Sequence, residues 1–577
     1  MQKNKFLIVS ISIVLFSIIF GFQLNGQDKL VEILEEELGR EMKALENEET
    51  PPYFISYSVN DVHEFGANAL FGNLLNSDTD RTRSLRVAIR VGSHKLDNTR
   101  KLDEFGGGNG FPGGGGYLPI ENEPLAIKQA LWNETNMTYI NAVDTYSNLV
   151  IKLESKDKEE TGVNDFSDEG PAIHIDPMPD GFGAGFDEEI LNGKVKKYSE
   201  VFLKEKDIVF GMAGISTGIE RKYFISTEGT KIVENRYYAN LVISGLIRSK
   251  EGLELPLHKT WFVFDVDDLP DDETVMREVD QMIVKLIALR DAPFVEPYEG
   301  PAILSAGSAG VFFHEIFGHR VEGQRQKSEL DGQTFTNKIG EKVLPKSFNL
   351  VFDPTRTTYQ NTDLNGYYKF DDEGVKAQKV NVVENGVLKG FLMSRCPIEG
   401  FPKSNGHGRA QAGFEPVTRQ SNLIVESSEM HSMDDLRKML IKECKKQDKE
   451  FGLLFKEVVG GFTLTGRYMP NAFNIMPTEV YRIFVDGRPD ELVKGVDLIG
   501  TPLAMFAKIE AAGDTAVIFT GTCGAESGSV PVTAISPALF ISQIEIQKRQ
   551  KTESVPPILS MPVSPQLINE LNKREEN

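Results

Sequence analysis

In "VFFHEIFGHRVEG" (residues 311–323), His314 and His319 stand five positions apart, with Glu315 beside the first. Neutral imidazole is a zinc ligand, and a carboxylate beside a metal can take a proton from a water that the metal has made acidic. The familiar zinc helix reads H-E-x-x-H, because positions four apart differ by only about 40° around an α-helix. Positions five apart differ by about 140°, and their rings point away from each other. A metal site here therefore requires the backbone to leave α geometry between the two histidines. A π-bulge, closing an i→i+5 turn, is the expected departure, and Gly318, without a Cβ, is the residue expected to permit it. In a chain with 8 histidines, composition alone would produce such a triplet only about 0.02 times.

Catalytic zinc uses three protein ligands and keeps one position open. Glu322, three residues past His319, is the local candidate for the third. Cys523, in "AVIFTGTCGAESGSVPV", is the distant one, following a β-branched run and flanked by Gly521 and Gly524. A thiolate held by zinc would explain an odd cysteine in an oxidising compartment. A small buried thiol is the plainer role for a lone cysteine. Spacing and composition do not choose between the two candidates.

The elements that must position these residues are legible in part. Apolar residues recur at three- and four-residue steps over 28–46, predicting a helix capped by Asp28. Residues 53–59 and 85–91 read as strands, as do "YYANLVISGLI" and "TWFVFDV". Residues 271–292 predict a helix with acids in its first turn to suit the dipole. "PFVEPYEGP" (293–301) is the expected domain boundary. Beyond it, hairpins are expected at Asn385-Gly386 and near Asp486-Gly487, with one helix in "MDDLRKMLIKECKKQ". The glycine-rich stretch 104–117 lacks the Lys-Ser/Thr pair of a phosphate loop and reads as a surface loop. The acidic stretch at about 154–190 reads as an exposed insertion. The order of elements predicts an α+β protein of two domains, 27–295 and 296–577.

A chain of 577 residues exceeds what one core supports. A formal charge of −22 argues against nucleic-acid binding, which needs a surplus of Lys and Arg. Residues 1–26 carry Lys3 and Lys5, an uncharged apolar run over residues 6–22, and Gly26 for cleavage. That is the pattern of a secretory signal, so export to a periplasm or the medium is expected. Left uncleaved, residues 6–22 would anchor the protein to a membrane. Three cysteines, Cys396, Cys444 and Cys523, do not make a disulfide scaffold.

"SAGSAGVFFHEIFGHRVEG" (305–323) resembles the signature of the TldD/PmbA metallopeptidases, whose mark is H-E-x-x-x-H. "SNGHGRA" (404–410), "LVKGVDLIG" (492–500) and "GTCGAESGSVPV" (521–532) resemble further blocks of that family, in the same order. The resemblance implies an N-terminal domain of α/β type and a β-rich C-terminal domain carrying one zinc per chain. His314, His319 and Cys523 would be its ligands and Glu315 the base that activates water. It implies cleavage of peptides or unfolded segments, and a homodimer or a heterodimer with a motif-lacking paralogue. His407 and Arg409 in "NGHGRA" are further candidates for substrate contact, although Asn405-Gly406 also marks a tight turn. Arg409 could pair a peptide carboxylate. The contrasting expectation is a non-enzymatic assembly subunit with a structural zinc, which would unfold when the metal is removed.

Overall fold

The computed structural model describes residues 28–100, 115–156, 162–179, 186–327, 331, 333–466 and 473–549. The expected signal segment, most of the glycine-rich stretch and parts of the acidic stretch lie outside these residues. Asp28 caps α1 (Lys29–Leu45), its carboxylate accepting from Leu30 N at 3.1 Å. β1 (Pro52–Leu70) and β2 (Asn73–Val91) then form a long antiparallel hairpin, turning at Phe71 and Gly72, both at positive φ. β3 (Gly116–Tyr117), α2 (Pro124–Lys156), β4 (Ile173–Ile175) and α3 (Glu188–Glu200) follow. β5 (Ile208–Ser226), β6 (Lys231–Arg248), β7 (Glu254–Val263) and α4 (Asp272–Asp291) complete this part. The sheet runs β3-β2-β1-β5-β6, with β4 and β7 both paired to β6.

Alternation along these strands decides what each face does. Odd positions such as Ile55, Tyr57, Val59, Ala213, Ile215, Leu241 and Ile243 are buried beneath the helices. α3 and α4 cover one end of that face, and α1 and α2 the other. Even positions on β5 and β6, including Ser216, Arg236, Tyr238 and Asn240, face a cavity instead. Among the described residues only β4 pairs in parallel, so this part is an antiparallel sheet with helices on one side. The expected α/β type is corrected accordingly: among the described residues no βαβ crossover builds this sheet, and the fold is α+β.

The second sheet has 12 strands. It is built from β8 (Tyr298–Leu304), β9 (Phe348–Phe352), β12 (Val380–Glu384), β13 (Val387–Leu388), β16 (Asn422–Ser427), β17 (Met430–His431), β18 (Phe451–Thr463), β19 (Phe473–Phe484), β20 (Glu491–Val493), β21 (Val496–Gly500), β22 (Ile509–Ala525) and β23 (Gly528–Lys548). Two short pairs stand apart, β10 (Thr358–Tyr359) with β11 (Thr362–Asp363), and β14 (Gly408–Arg409) with β15 (Val417–Thr418). β8 pairs with both β18 and β23, so β23-β21-β19-β18-β8 close on themselves. Helix α5 (Ala306–Ile316) leaves β8 directly and packs on β18, β22 and β23. The expected hairpin at Asn385-Gly386 has φ of 49° and 76°, as a tight turn demands. α6 (Gln324–Lys327) is short, and α7 (Met433–Lys446) fills the helix expected there. Among the described residues no helix is long and apolar enough to cross a membrane.

Two features lie outside the expectations above. α2 has no clear sequence period, because its buried stripe of Ile127, Leu131, Ala142 and Leu149 is matched by exposed Leu125, Trp132, Ile140 and Ile151. Within the described part of the acidic stretch, most of which is exposed, Asp165–Ser167 are buried where they meet cations. Asp165 accepts from Arg100 (2.8 Å), and Phe166 lies between the guanidiniums of Arg90 and Arg395, each 3.7 Å from its ring centre. Arg395 continues to Ser167 O and to Glu228 (2.7 Å), and so ties residues near the second sheet to the first. Phe166→Ala should remove both cation–π contacts and a buried ring, destabilising the protein by about 3 kcal/mol or more. A urea unfolding midpoint unchanged from wild type would show that the sandwich contributes nothing.

Candidate metal centre

Ser305 starts α5, accepting from Ser308 N (3.3 Å) and donating to Lys456 O (2.7 Å). Every residue of α5 except Gly307 is buried, as a helix apolar on all sides should be. His314 and Glu315 occupy its last turn. The helix stops at Ile316, with Phe317 N on Phe313 O (3.0 Å), and a 3-10 turn over Gly318–Arg320 follows, with Arg320 N on Phe317 O (3.0 Å). The expected π-bulge is thus corrected: the backbone tightens where widening was foreseen. The consequence for the rings is the one a site needs, for the centroids of His314 and His319 lie 5.1 Å apart. Gly318 is needed for space, not for backbone freedom. A Cβ there would lie 1.9 Å from Oε1 of Gln420, whose Nε2 donates to His314 O (3.1 Å).

Cys523 comes from β22, 204 residues further along the chain, with Sγ 3.4 Å from Nε2 of His319. One ligand atom from each of His314, His319 and Cys523 falls within 4.8 Å of the others, and all three residues are buried. Bond lengths of about 2.05 Å to nitrogen and 2.3 Å to sulfur place two such ligands about 3.5 Å apart on a tetrahedral ion. The donor set and its spacing therefore fit zinc. Glu315 Oε2 is 3.9 Å from Nε2 of His319. Opposite it on β18, a Cβ on Gly461 would lie 2.8 Å from Cγ of Glu315, so glycine leaves the carboxylate its room.

Glu322 stands behind His319 and away from the ligand cluster. Its two oxygens lie 3.1 and 3.2 Å from Nδ1, the nitrogen opposite the one that faces Cys523. Such a carboxylate fixes the tautomer and orientation of a metal-binding imidazole. Burial pushes the Glu322 carboxyl up, but the charges of His319 and Arg325 outweigh it and hold it down to about 2. Burial also favours neutral His319, yet Glu322 and Cys523 push it up to about 10. Burial raises the Cys523 thiol, and the two imidazoles more than reverse this, holding it well below the usual thiol range. The cysteine is thereby kept as thiolate, the form that binds metals. Burial raises the Glu315 carboxyl, making it a stronger base than an exposed one.

The structure does not bring His407 and Arg409 to the cavity, which corrects their reading as substrate contacts. His407 is fully buried, within reach of Asn405 Oδ1 (3.1 Å) and Ser421 Oγ (3.2 Å), and burial lowers its pKa to about 3. Gly406 beside it has φ of 73°, so the tight turn is what this stretch forms. Arg409 is spent internally, donating to Gln420 O (2.6 Å) and Pro531 O (2.8 Å). Sequence reasoning passed over Arg419, Gln420, Arg325 and Gly461. Arg419 is fully buried and clamps the β22–β23 turn, donating to Cys523 O (2.5 Å), Ser527 Oγ (2.8 Å) and Gly528 O (2.9 Å). Thr418 through Asn422 are five consecutive polar residues, all buried. A run of that composition reads as loop, so no signal in the sequence marked it.

Residues 297–548 match the PmbA/TldA metallopeptidase C-terminal domain. A relative from Archaeoglobus fulgidus, named metalloprotease, is 31% identical over 266 residues, which are 46% of this chain and 56% of that one. A relative from Saccharolobus solfataricus, named zinc metalloprotease TldD homolog, is 24% identical over 62% of this chain and 71% of its own. The chain spans about half the length of the curated relatives it matches first. The solved structure of TldE from Thermococcus kodakarensis superposes with a TM-score of 0.60 at 16% identity, covering 89% of this chain and all of that one, and shares the fold. Residues 297–548 are thus similar to the C-terminal domain of the TldD/PmbA family, and the fold as a whole is shared with TldE.

Glu322→Gln keeps the shape of the side chain and removes its charge. Zinc affinity, measured by competition with a chelator, should fall about 10- to 100-fold, with some loss of stability because buried Arg325 loses its charge partner. Unaltered affinity would show that Glu322 does not support His319.

Proposed function

We propose that the protein is an exported zinc metallopeptidase that cleaves peptides or unfolded segments. In this reading residues 27–295 form one domain and residues 296–577 a second one carrying the metal. The observation that carries the reading is a base, Glu315, set beside a His/His/Cys cluster on the wall of a cavity of about 760 Å³. That volume suits a short stretch of extended chain and not a folded domain. Zinc, when held by His314, His319 and Cys523, supplies a Lewis acid for the scissile carbonyl and lowers the pKa of water nearby.

The chain's own groups do the rest. Glu315 accepts a proton from the attacking water and returns it to the departing nitrogen. Burial, by raising its basicity, suits it to both steps. Glu322 keeps the Nε2 face of His319 turned toward the cluster. Gln420, bonded to His314 O, and Arg419, bonded to Cys523 O, hold the backbones that carry two of the ligands. Export rests on the sequence of residues 1–26. A homodimer, or a pair with a motif-lacking paralogue, rests on the family resemblance alone.

Glu315→Gln should lower hydrolysis of an unfolded peptide by about 10²–10⁴-fold with about one zinc per chain retained. Full activity in that variant would overturn the mechanism. His319→Ala and Cys523→Ser should each lose zinc by elemental analysis, and normal zinc in both would refute the ligand set. Chelation should stop hydrolysis and leave the fold intact. Unfolding on chelation would assign the metal a structural role and favour the assembly subunit.

A further inference from the structure

The cavity has two walls of different origin. One carries the ligand cluster and the Gly521–Ala525 stretch of β22, and the other is the even-numbered face of the first sheet. On that second wall stands Arg236 of β6. Its Nη2 donates to Asn365 Oδ1 (2.6 Å), and Asn365 Nδ2 donates to Gly521 O (3.3 Å), two residues before Cys523. Two residues of strand advance about 7 Å. The whole path from guanidinium to the cysteine therefore spans no more than about 15 Å, the length of about four residues of extended chain.

Arg236 differs from the other arginine that lines the cavity. Arg325 is neutralised by Glu322 (2.7 Å) and Glu526 (3.1 Å). Among the described residues Arg236 forms no ion pair. Glu220, opposite it in register on β5, accepts from Asn60 (2.7 Å) instead. Asn365 uses one N–H of the guanidinium and holds its plane, leaving further N–H groups of the fork unclaimed. A planar fork fixed in this way matches a carboxylate with two parallel hydrogen bonds. In a protein of net charge −22, a cation without an ion pair in a ligand cavity is also a local attraction for anions.

We propose that Arg236 binds a carboxylate of the substrate within about four residues of the bond that is cut. This rests on the metallopeptidase reading. The carboxylate has two sources, the C-terminus of the peptide or an Asp or Glu side chain.

The test uses the zinc-loaded Glu315→Gln protein, so that binding is read without turnover. Three versions of one neutral, unstructured peptide are titrated by calorimetry: C-terminal amide, free C-terminal acid, and amide with one internal Glu. At least one anionic version should bind about tenfold or more tightly than the neutral amide, and which one does so identifies the source. Adding Arg236→Leu should bring the ratio to within about twofold, and Arg236→Lys should retain part of it. Because the readout is a ratio, a general loss of affinity does not imitate the result, and the lysine variant guards against misfolding in the leucine one. Equal affinities for all three, including none for any, would overturn the proposal, as would a preference that survives Arg236→Leu. Failure of the wild type to hydrolyse any of these peptides would instead sink the metallopeptidase reading, while the binding ratio still decides the role of Arg236.

Discussion

Glu322 is wholly buried yet ionised, held by the guanidiniums of Arg325 (Nε at 2.7 Å) and Arg419 (Nε at 4.0 Å) and by the N–H of His319 Nδ1 at 3.1 Å. An isolated buried carboxylate would cost several kcal/mol, so each of these groups is required by it as much as it is by them. Their other ends spread the constraint. Arg325 reaches Glu526 and Thr465, and Arg419 reaches the backbone of Cys523 and the turn beyond it. Segments near residues 320, 420 and 525 meet on one charge, and the third ligand arrives beside the first two because of it. The backbone there is zipped as well, Leu392 N donating to Val321 O and Gly323 N to Leu392 O, each at 2.9 Å.

The cluster becomes a site only because a second wall faces it. That wall depends on the strict alternation of β5 and β6, where helices claim one face and leave the other polar. It is held against the second sheet by polar ties: Arg236 to Asn365, Lys222 to Asp372 (2.9 Å) and Lys369 to Asp176 (2.7 Å). The Arg90–Phe166–Arg395 sandwich adds an apolar one. These ties are mostly charged and hydrogen-bonded, so they fix the position of one wall against the other more by direction than by area.

How much of this was legible follows from whether a signal was local. The cap at Asp28, the helix behind it, the helix ending at Asp291 and the Asn385-Gly386 turn are set by neighbours within a few residues, and the sequence shows them. His314, Glu315 and His319 announce themselves by type and spacing. Cys523, 204 residues from His319, was offered by the sequence only as an alternative to Glu322, and the resemblance alone chose between them. The run Thr418–Asn422 misleads, since its polar side chains are buried to satisfy groups that only tertiary structure brings near. α2 misleads in the other direction, its exposed apolar residues hiding the face that packs. The manner in which the chain accommodates the extra residue between the histidines was also out of reach, because Gly318 answers to Gln420, a residue about a hundred positions away.

That extra residue has a consequence beyond spacing. In H-E-x-x-H both histidines belong to one continuous helix, and support for the second must come from elsewhere. Here the helix ends before His319, and the chain enters a turn of about three residues per revolution, in which positions i and i+3 eclipse. His319 lies in that turn and Glu322 just past its end, at a bridge to Leu392, where its carboxylate meets the imidazole; Arg325, three residues further on, is bonded to the same carboxylate. The early end of α5 thus lets one short segment supply a ligand, the carboxylate that orients it and the arginine that keeps that carboxylate charged.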